Sequence, residues 1–177
     1  MYNRAEQADA DRLLRIWPPN SRKLCGEMID TYGLPHEITE TMAIWHYNGP
    51  WKRTVVHRNG VQHNVPHPHI DLLEQTVDAK VNPELFSEIT KFDGSIILDK
   101  TRGEMTCYCE SEQANTLILN LAHDIILGSK TAKEARDVLM KSSDFFHSQL
   151  PNPYRESLQF TSTVETTNPD MVAAEPN

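Results

Sequence analysis

The sequence predicts an α+β fold: a two-layer domain in which a mostly antiparallel meander sheet packs against helices, with a helix pair at each end of the chain. Three observations carry this reading. Apolar residues recur at helical spacing near both ends, as in Leu24, Met28 and Tyr32, or Ala114, Ile118, Leu121 and Ile125. The middle of the chain is dense in β-branched and aromatic residues. Its segments are joined by short Asn-Gly and Lys-Thr-Arg-Gly turns, so neighbouring strands must run antiparallel and leave the helices to one face.

Each element has its own signal. "ADADRLLRIW" predicts a short helix with Asp9 or Asp11 as cap, stopped by Pro18-Pro19. "NSRKLCGEMIDTYG" predicts a second, capped by Ser21 and ended by Gly33 in the left-handed region. In "TMAIWHYNGPWKRTVVHRNGVQHNV" a looser turn is expected at Asn48-Gly49-Pro50 and a tight hairpin at Asn59-Gly60, whose type I′ geometry needs positive φ at both positions. That makes a three-stranded meander, to which "DLLEQTVDAKV" adds a fourth strand. "NPELFSEITKF" is a short helix capped by Asn82 with Pro83 at its first position. "SIILDKTRGEMTCYCE" is a second hairpin, turning through Gly103. "SEQANTLILNLAHDIILG" is the clearest helix, capped by Ser111, stopped by Gly128 and apolar enough to be largely buried. "TAKEARDVLMKSSDFF" opens on the Thr131/Glu134 capping box. Residues 1–150 thus read as a single domain. Beyond Pro151 the apolar rhythm ends, and 151–177 reads as a polar disordered tail.

Bulk properties restrict partners and setting. A net charge of −8 speaks against nucleic acid, because binding phosphates needs a basic field. No apolar run reaches the ~18 residues of a membrane span, and the first twenty residues lack the core of a signal peptide. Cys25, Cys107 and Cys109 are an odd number and read as reduced thiols. The expectation is a soluble cytoplasmic protein, a candidate homodimer, that meets a protein or small-molecule ligand rather than nucleic acid or membrane.

"MIDTYGLPHEITETMAIWHY", a helix closing on Tyr-Gly-x-Pro before a strand with Trp-x-Tyr, resembles the small outer-membrane assembly lipoproteins, whose fold sets a helix pair on a meander. The likeness is local and implies only the meander. "HPHIDLLE", with His67, His69 and Glu74 in His-x-His-x4-Glu, resembles the first motif of the cupin metalloproteins. Cupins carry a second histidine motif on a later strand. Here the later histidines, His123 and His147, fall in predicted helices.

Four of the eight histidines crowd into residues 57–69: His57, His63, His67 and His69. If Asn59-Gly60 is a hairpin turn, His57 and His63 lie on opposite faces of the ribbon. His63, His67 and His69 then remain as candidate ligands of a transition metal (Zn, Fe or Mn), with Asp71 or Glu74 as the carboxylate. His69 and Glu74 are the candidate catalytic pair, an imidazole whose tautomer a carboxylate would fix for proton transfer. Pro66 and Pro68 give the competing reading, a stiff surface loop that tolerates histidine.

Arg53 is the candidate ligand-binding group, with His46 and His57 expected on its face and Trp51 beside it. Strand alternation would point Lys52 the other way. Cys107 and Cys109 face one side of a strand, but no Cys-x-x-Cys and no histidine stands near them in sequence. Glycine-rich phosphate loops, G-x-S-x-G and HExxH are absent from the sequence. Three functions follow as expectations. They are a binding module for a protein or small ligand, a small enzyme using His69, Glu74 and Arg53 on an anionic substrate, and a metal protein built on His63, His67 and His69.

Overall fold

A computed structural model describes residues 2–145, 153–161 and 165–170. In chain order it contains α1 (Gln7–Leu14), α2 (Pro19–Tyr32), β1 (Glu37–Ile38), β2 (Met42–Asn48), β3 (Trp51–His63) and β4 (His69–Asp78). A 3-10 turn (Pro83–Leu85) leads into α3 (Phe86–Phe92), followed by β5 (Ile96–Asp99), β6 (Glu104–Cys109), α4 (Glu112–Ile126), α5 (Ala132–Phe145) and α6 (Pro153–Glu156). The sheet order is β1-β2-β3-β4-β6-β5, and every neighbouring pair is antiparallel. The first four strands form a meander. The chain then leaves through α3, places β5 at the far edge and returns β6 against β4. This is the expected two-layer α+β domain.

The caps explain where most helices begin and end. Asn82 accepts from the Glu84 N–H, and Ser111 accepts from the Ala114 N–H. Thr131 and Glu134 exchange backbone-to-side-chain bonds in a closed capping box. Gly33 and Gly128 end α2 and α4 at φ of 76° and 70°. Two expected caps are wrong: α1 starts at Gln7 after Glu6, so Asp9 and Asp11 lie inside it. Helix α2 starts at Pro19, whose fixed φ suits a first position, and the Ser21 hydroxyl donates back to the Pro18 carbonyl.

Asn59-Gly60 is not a hairpin turn. Strand β3 runs straight through it, and the chain reverses over residues 64–68, between the paired His63 and His69. The register with β4 jumps from Val56↔Leu73 to Val61↔Asp71, an irregularity that absorbs the extra β3 residues. Gly60 is needed here for closeness. A Cβ on it would collide with the Asp71 carbonyl and the Ile70 side chain. The hairpin argument therefore falls, although His57 and His63 do lie on opposite faces, His57 beside Glu74 and His63 beside Asp71.

Helices cover one sheet face. Trp17 and α2 residues Leu24, Cys25 and Met28 pack on Trp45, Val56 and Leu73. Helices α3, α4 and α5 pack on Val77, Met105, Cys107 and Cys109. Ten of the fifteen α4 residues are buried, as its broad apolar surface predicts. The segment expected as a tail supplies part of that cover. Phe160 stacks on His123 with ring centres 4.4 Å apart, and Asn120 Nδ2 donates to the Tyr154 and Ser157 carbonyls. Thr166 donates to the Gly103 carbonyl. These stretches beyond residue 150 belong to the packed domain, while the rest of the expected tail and His147 lie outside the described residues.

Candidate metal centre

His63 and His69 meet where β3 ends and β4 begins, on the helix side of the sheet. Register explains the placement. Leu73, Gln75 and Val77 are in the core, and alternation along β4 puts His69 and Asp71 on their side. Across the ladder His63 pairs with His69, and on the other flank Cys109 pairs with Leu73. Ligand atoms of His63, His69 and Asp71 all lie within 4.8 Å of one another.

The bonding inside this set is uneven. His69 Nδ1 donates to the His67 carbonyl at 2.7 Å, which fixes the tautomer and leaves Nε2 to face the cluster. Asp71 Oδ2 accepts from the Ser95 hydroxyl at 3.2 Å and lies 3.4 Å from His63 Nδ1. Asp71 Oδ1 lies 2.9 Å from His69 Nε2, off the line of a hydrogen bond, and has no hydrogen-bond donor. Asp71 is 2% exposed. Next to it stands Asp93, wholly buried, whose Oδ1 accepts from the Ser95 N–H while Oδ2 has no partner.

Two buried carboxylates, each with an oxygen that has no hydrogen bond, are costly unless a partner offsets them. Burial raises the Asp93 pKa despite the Ser95 N–H bond and the nearby charges of His63 and Arg136. For His69, burial alone would lower the pKa. Contacts with Asp71 and the His67 carbonyl outweigh it, and the net shift is upward.

The expected trio of His63, His67 and His69 does not converge on one point. His69 sits between the other two, with ring centres 5.1 Å from His63 and 5.2 Å from His67. His67 turns outward and meets Glu110 at 3.2 Å, so His67, His69 and Glu110 make a second, more open ligand set. A cleft of about 390 Å³ between α2 and the start of β4 is floored by His69 and Glu110. His67 lies in the β3–β4 connection, which has a cis bond at Val65-Pro66.

Glu74 is not the partner of His69. It stands on the opposite, open face and meets His57 at 3.1 Å, where Tyr108 packs edge-on against the same imidazole. The face expected for His46, Arg53 and His57 is observed, since Ile44↔Val55, His46↔Arg53 and Met42↔His57 are cross-strand pairs. Each of the three nevertheless has its own carboxylate: His46 with Glu37, Arg53 with Glu104, His57 with Glu74.

Lys52 reaches Glu104 as well, at 3.0 Å, so the expected divergence of Lys52 and Arg53 is corrected. A positive φ at Tyr47, opposite this point of the hairpin, breaks the regular pleat. Trp51 turns into the core, 2% exposed, and donates to Glu112 Oε2 at 3.1 Å.

Ser95 and Asp93, from the α3–β5 link, carried no signal in the sequence, whereas Cys109, which has no histidine near it in sequence, has its Sγ 3.5 Å from His69 Nε2. Among the described residues no helix is long and apolar enough to cross a membrane. The chain matches no family model, and neither a curated protein nor a solved structure matches it significantly.

Proposed function

We propose that this chain is a metal-binding domain that holds one transition-metal ion between His63, His69 and Asp71. One observation carries the reading: a buried Asp71 oxygen without a hydrogen-bond donor faces His69 Nε2, inside a set of three ligand atoms within 4.8 Å. The surroundings suit that task. The His67 carbonyl and the Ser95 hydroxyl orient two of the ligands, the outer-shell support that metal sites need. Imidazole with carboxylate suits Zn, with Fe and Mn as the other candidates.

The test is elemental analysis of untagged protein at known concentration, followed by zinc titration of metal-free protein. About one equivalent bound by the wild type, and none by Asp71→Asn or His69→Ala, is the expected result. Failure of the wild type to bind on titration sinks the reading.

A second reading is a small acid–base enzyme in which Asp71 replaces Glu74 as the partner of His69. The cleft that opens beside His69 favours it. Saturation-transfer NMR with a panel of small anionic metabolites tests it, and signals from a ligand that His69→Ala abolishes would support it. Arg53 has no place in that site, because it serves the open face.

A further inference from the structure

We infer that the cleft between Arg58 and the start of α2 is an oxyanion site, which takes inorganic phosphate or the phosphate group of a small ligand. It is separate from the proposed metal centre and does not depend on it.

Arg53, the arginine that the sequence singles out, is held on the open face by Glu104 and Thr76. Arg58 is the reverse case. It lies on the helix side of β3, two residues beyond the core residue Val56 and inside the register shift between Val56 and Val61. Its backbone N–H bonds to the Thr41 carbonyl. Its half-buried guanidinium has neither a carboxylate nor another acceptor among the described residues, and its Nε is fully buried. Acidic groups are not scarce, since the chain has 25 of them against 17 basic ones. A guanidinium left in this state is costly until an anion meets it.

The helix end beside it has the same sign. Arg58 shares a cleft of about 260 Å³ with Asn20 and Ser21, the second and third residues of α2. Asn59 and Gly60, which make no turn, line its β3 side. Helix α2 has no capping side chain and no acidic residue in its first turn. Pro19 lacks an N–H, and those of Asn20 and Ser21 have no acceptor among the described residues. The deficit of acceptors extends to Trp17, 3% exposed and adjacent to Pro18, whose indole Nε1 also has none. The positive end of the helix dipole thus meets a guanidinium across one cleft. An anion between them turns that repulsion into attraction on both sides.

The donor set indicates the kind of anion. Arg58 offers a planar fork and the helix offers backbone N–H groups, a combination that suits a phosphate group. No carboxylate lines this cleft among the described residues. The neighbouring cleft of about 390 Å³ shares Asn20, Ile70 and Leu72 with it, which leaves room for the remainder of a phosphate monoester. Glu27 and Glu110 line that second cleft, so the anionic end belongs beside Arg58.

The test uses the full chain, ¹⁵N-labelled and free of metal, titrated with sodium phosphate at constant ionic strength and followed by ¹H–¹⁵N NMR. Saturating shifts at the Asn20 and Ser21 amides and at the Arg58 Nε–H, described by one dissociation constant, are expected. Arg58→Gln should weaken binding at least about 10-fold. Arg22→Gln, at an exposed α2 position outside the cleft, should leave it unchanged. Phenyl phosphate distinguishes the source: tighter binding than phosphate supports a small phosphorylated ligand, and no tighter binding supports free phosphate.

Shifts that grow with phosphate without saturating overturn the site, and so do saturating shifts that survive Arg58→Gln. An absence of shifts at Asn20 and Ser21 in wild type overturns it even if Arg58→Gln fails to fold. Zinc stoichiometry should be equal in wild type and Arg58→Gln, so either outcome leaves the metal reading to its own test.

Discussion

Asp71 and Glu112 lie under the same helix layer, on the same side of the same sheet, yet their surroundings differ. Glu112, in the first turn of α4, accepts from Tyr32 Oη at 2.8 Å, Trp51 Nε1 at 3.1 Å and Gln75 Nε2 at 2.7 Å. Gln75 Oε1 in turn accepts from Asn115 Nδ2, which also donates to the Leu73 carbonyl. Every donor is neutral and belongs to a different element, so the carboxylate joins α2, β3, β4 and α4. Burial, with Glu112 beside it, pushes the Tyr32 phenol up, which keeps that hydroxyl a donor. Asp71 instead has an oxygen with no hydrogen bond, 2.9 Å from His69 Nε2 and on a carboxylate that also meets His63. Asp71 is fully buried and Glu112 half-buried, and each anchors a polar cluster. The difference in unused bonding capacity is what separates a structural node from a candidate ligand site.

The largest expected effect comes from breaking the satisfied node. Glu112→Ala removes the acceptor of the buried Trp51 indole, of the half-buried Tyr32 hydroxyl and of Gln75, and should cost roughly 2–4 kcal/mol in urea unfolding, with metal stoichiometry unchanged in folded protein. Removal of one donor is milder. Trp51→Phe keeps the ring in the core and should cost about 1 kcal/mol.

At the other node, zinc at a thousand times its dissociation constant should stabilise metal-free wild type by about 4 kcal/mol in thermal unfolding. Asp71→Asn should show no such rise. An equal rise in both proteins would place the zinc elsewhere.

The open sheet face sharpens the contrast, since its charges are paired and partly wet. Burial works to raise the Glu104 pKa, but its bonds to Lys52 and Arg53 prevail and hold it below the ordinary glutamate value. Its contribution to stability is therefore complete above that value and disappears as pH falls through the depressed one. Stability measured from neutral to acidic pH should fall less steeply in that window for Glu104→Gln than for wild type. The smallest effect belongs to His57→Ala, which breaks a half-exposed pair with Glu74. It should change stability by no more than about 1 kcal/mol and leave metal binding alone.

Local chemistry made much of this molecule legible. The caps at Asn82, Ser111 and Thr131, and the stops at Gly33 and Gly128, act within a few residues of where they stand, so their spacing in sequence is their spacing in space. The same holds for the Gly49-Pro50 turn, which fixed the pairing of β2 with β3 and so the shared face of His46, Arg53 and His57.

Asn59-Gly60 shows where such reasoning ends. The dipeptide suits a turn, but pairing over the whole length of β3 and a close approach to Asp71 prevailed over that local preference. The shift in register moved every later assignment, including which carboxylate meets which histidine.

By itself, then, the sequence determined the fold class, most helix ends and the crowding of imidazoles near the start of β4. Tertiary structure decided which of them meet. His69 and Cys109 are forty positions apart, and Ser95 reaches Asp71 from the link that leads into the strand at the sheet's far edge. Such contacts depend on strand order and register, which non-local burial selects, and no short window of sequence contains them.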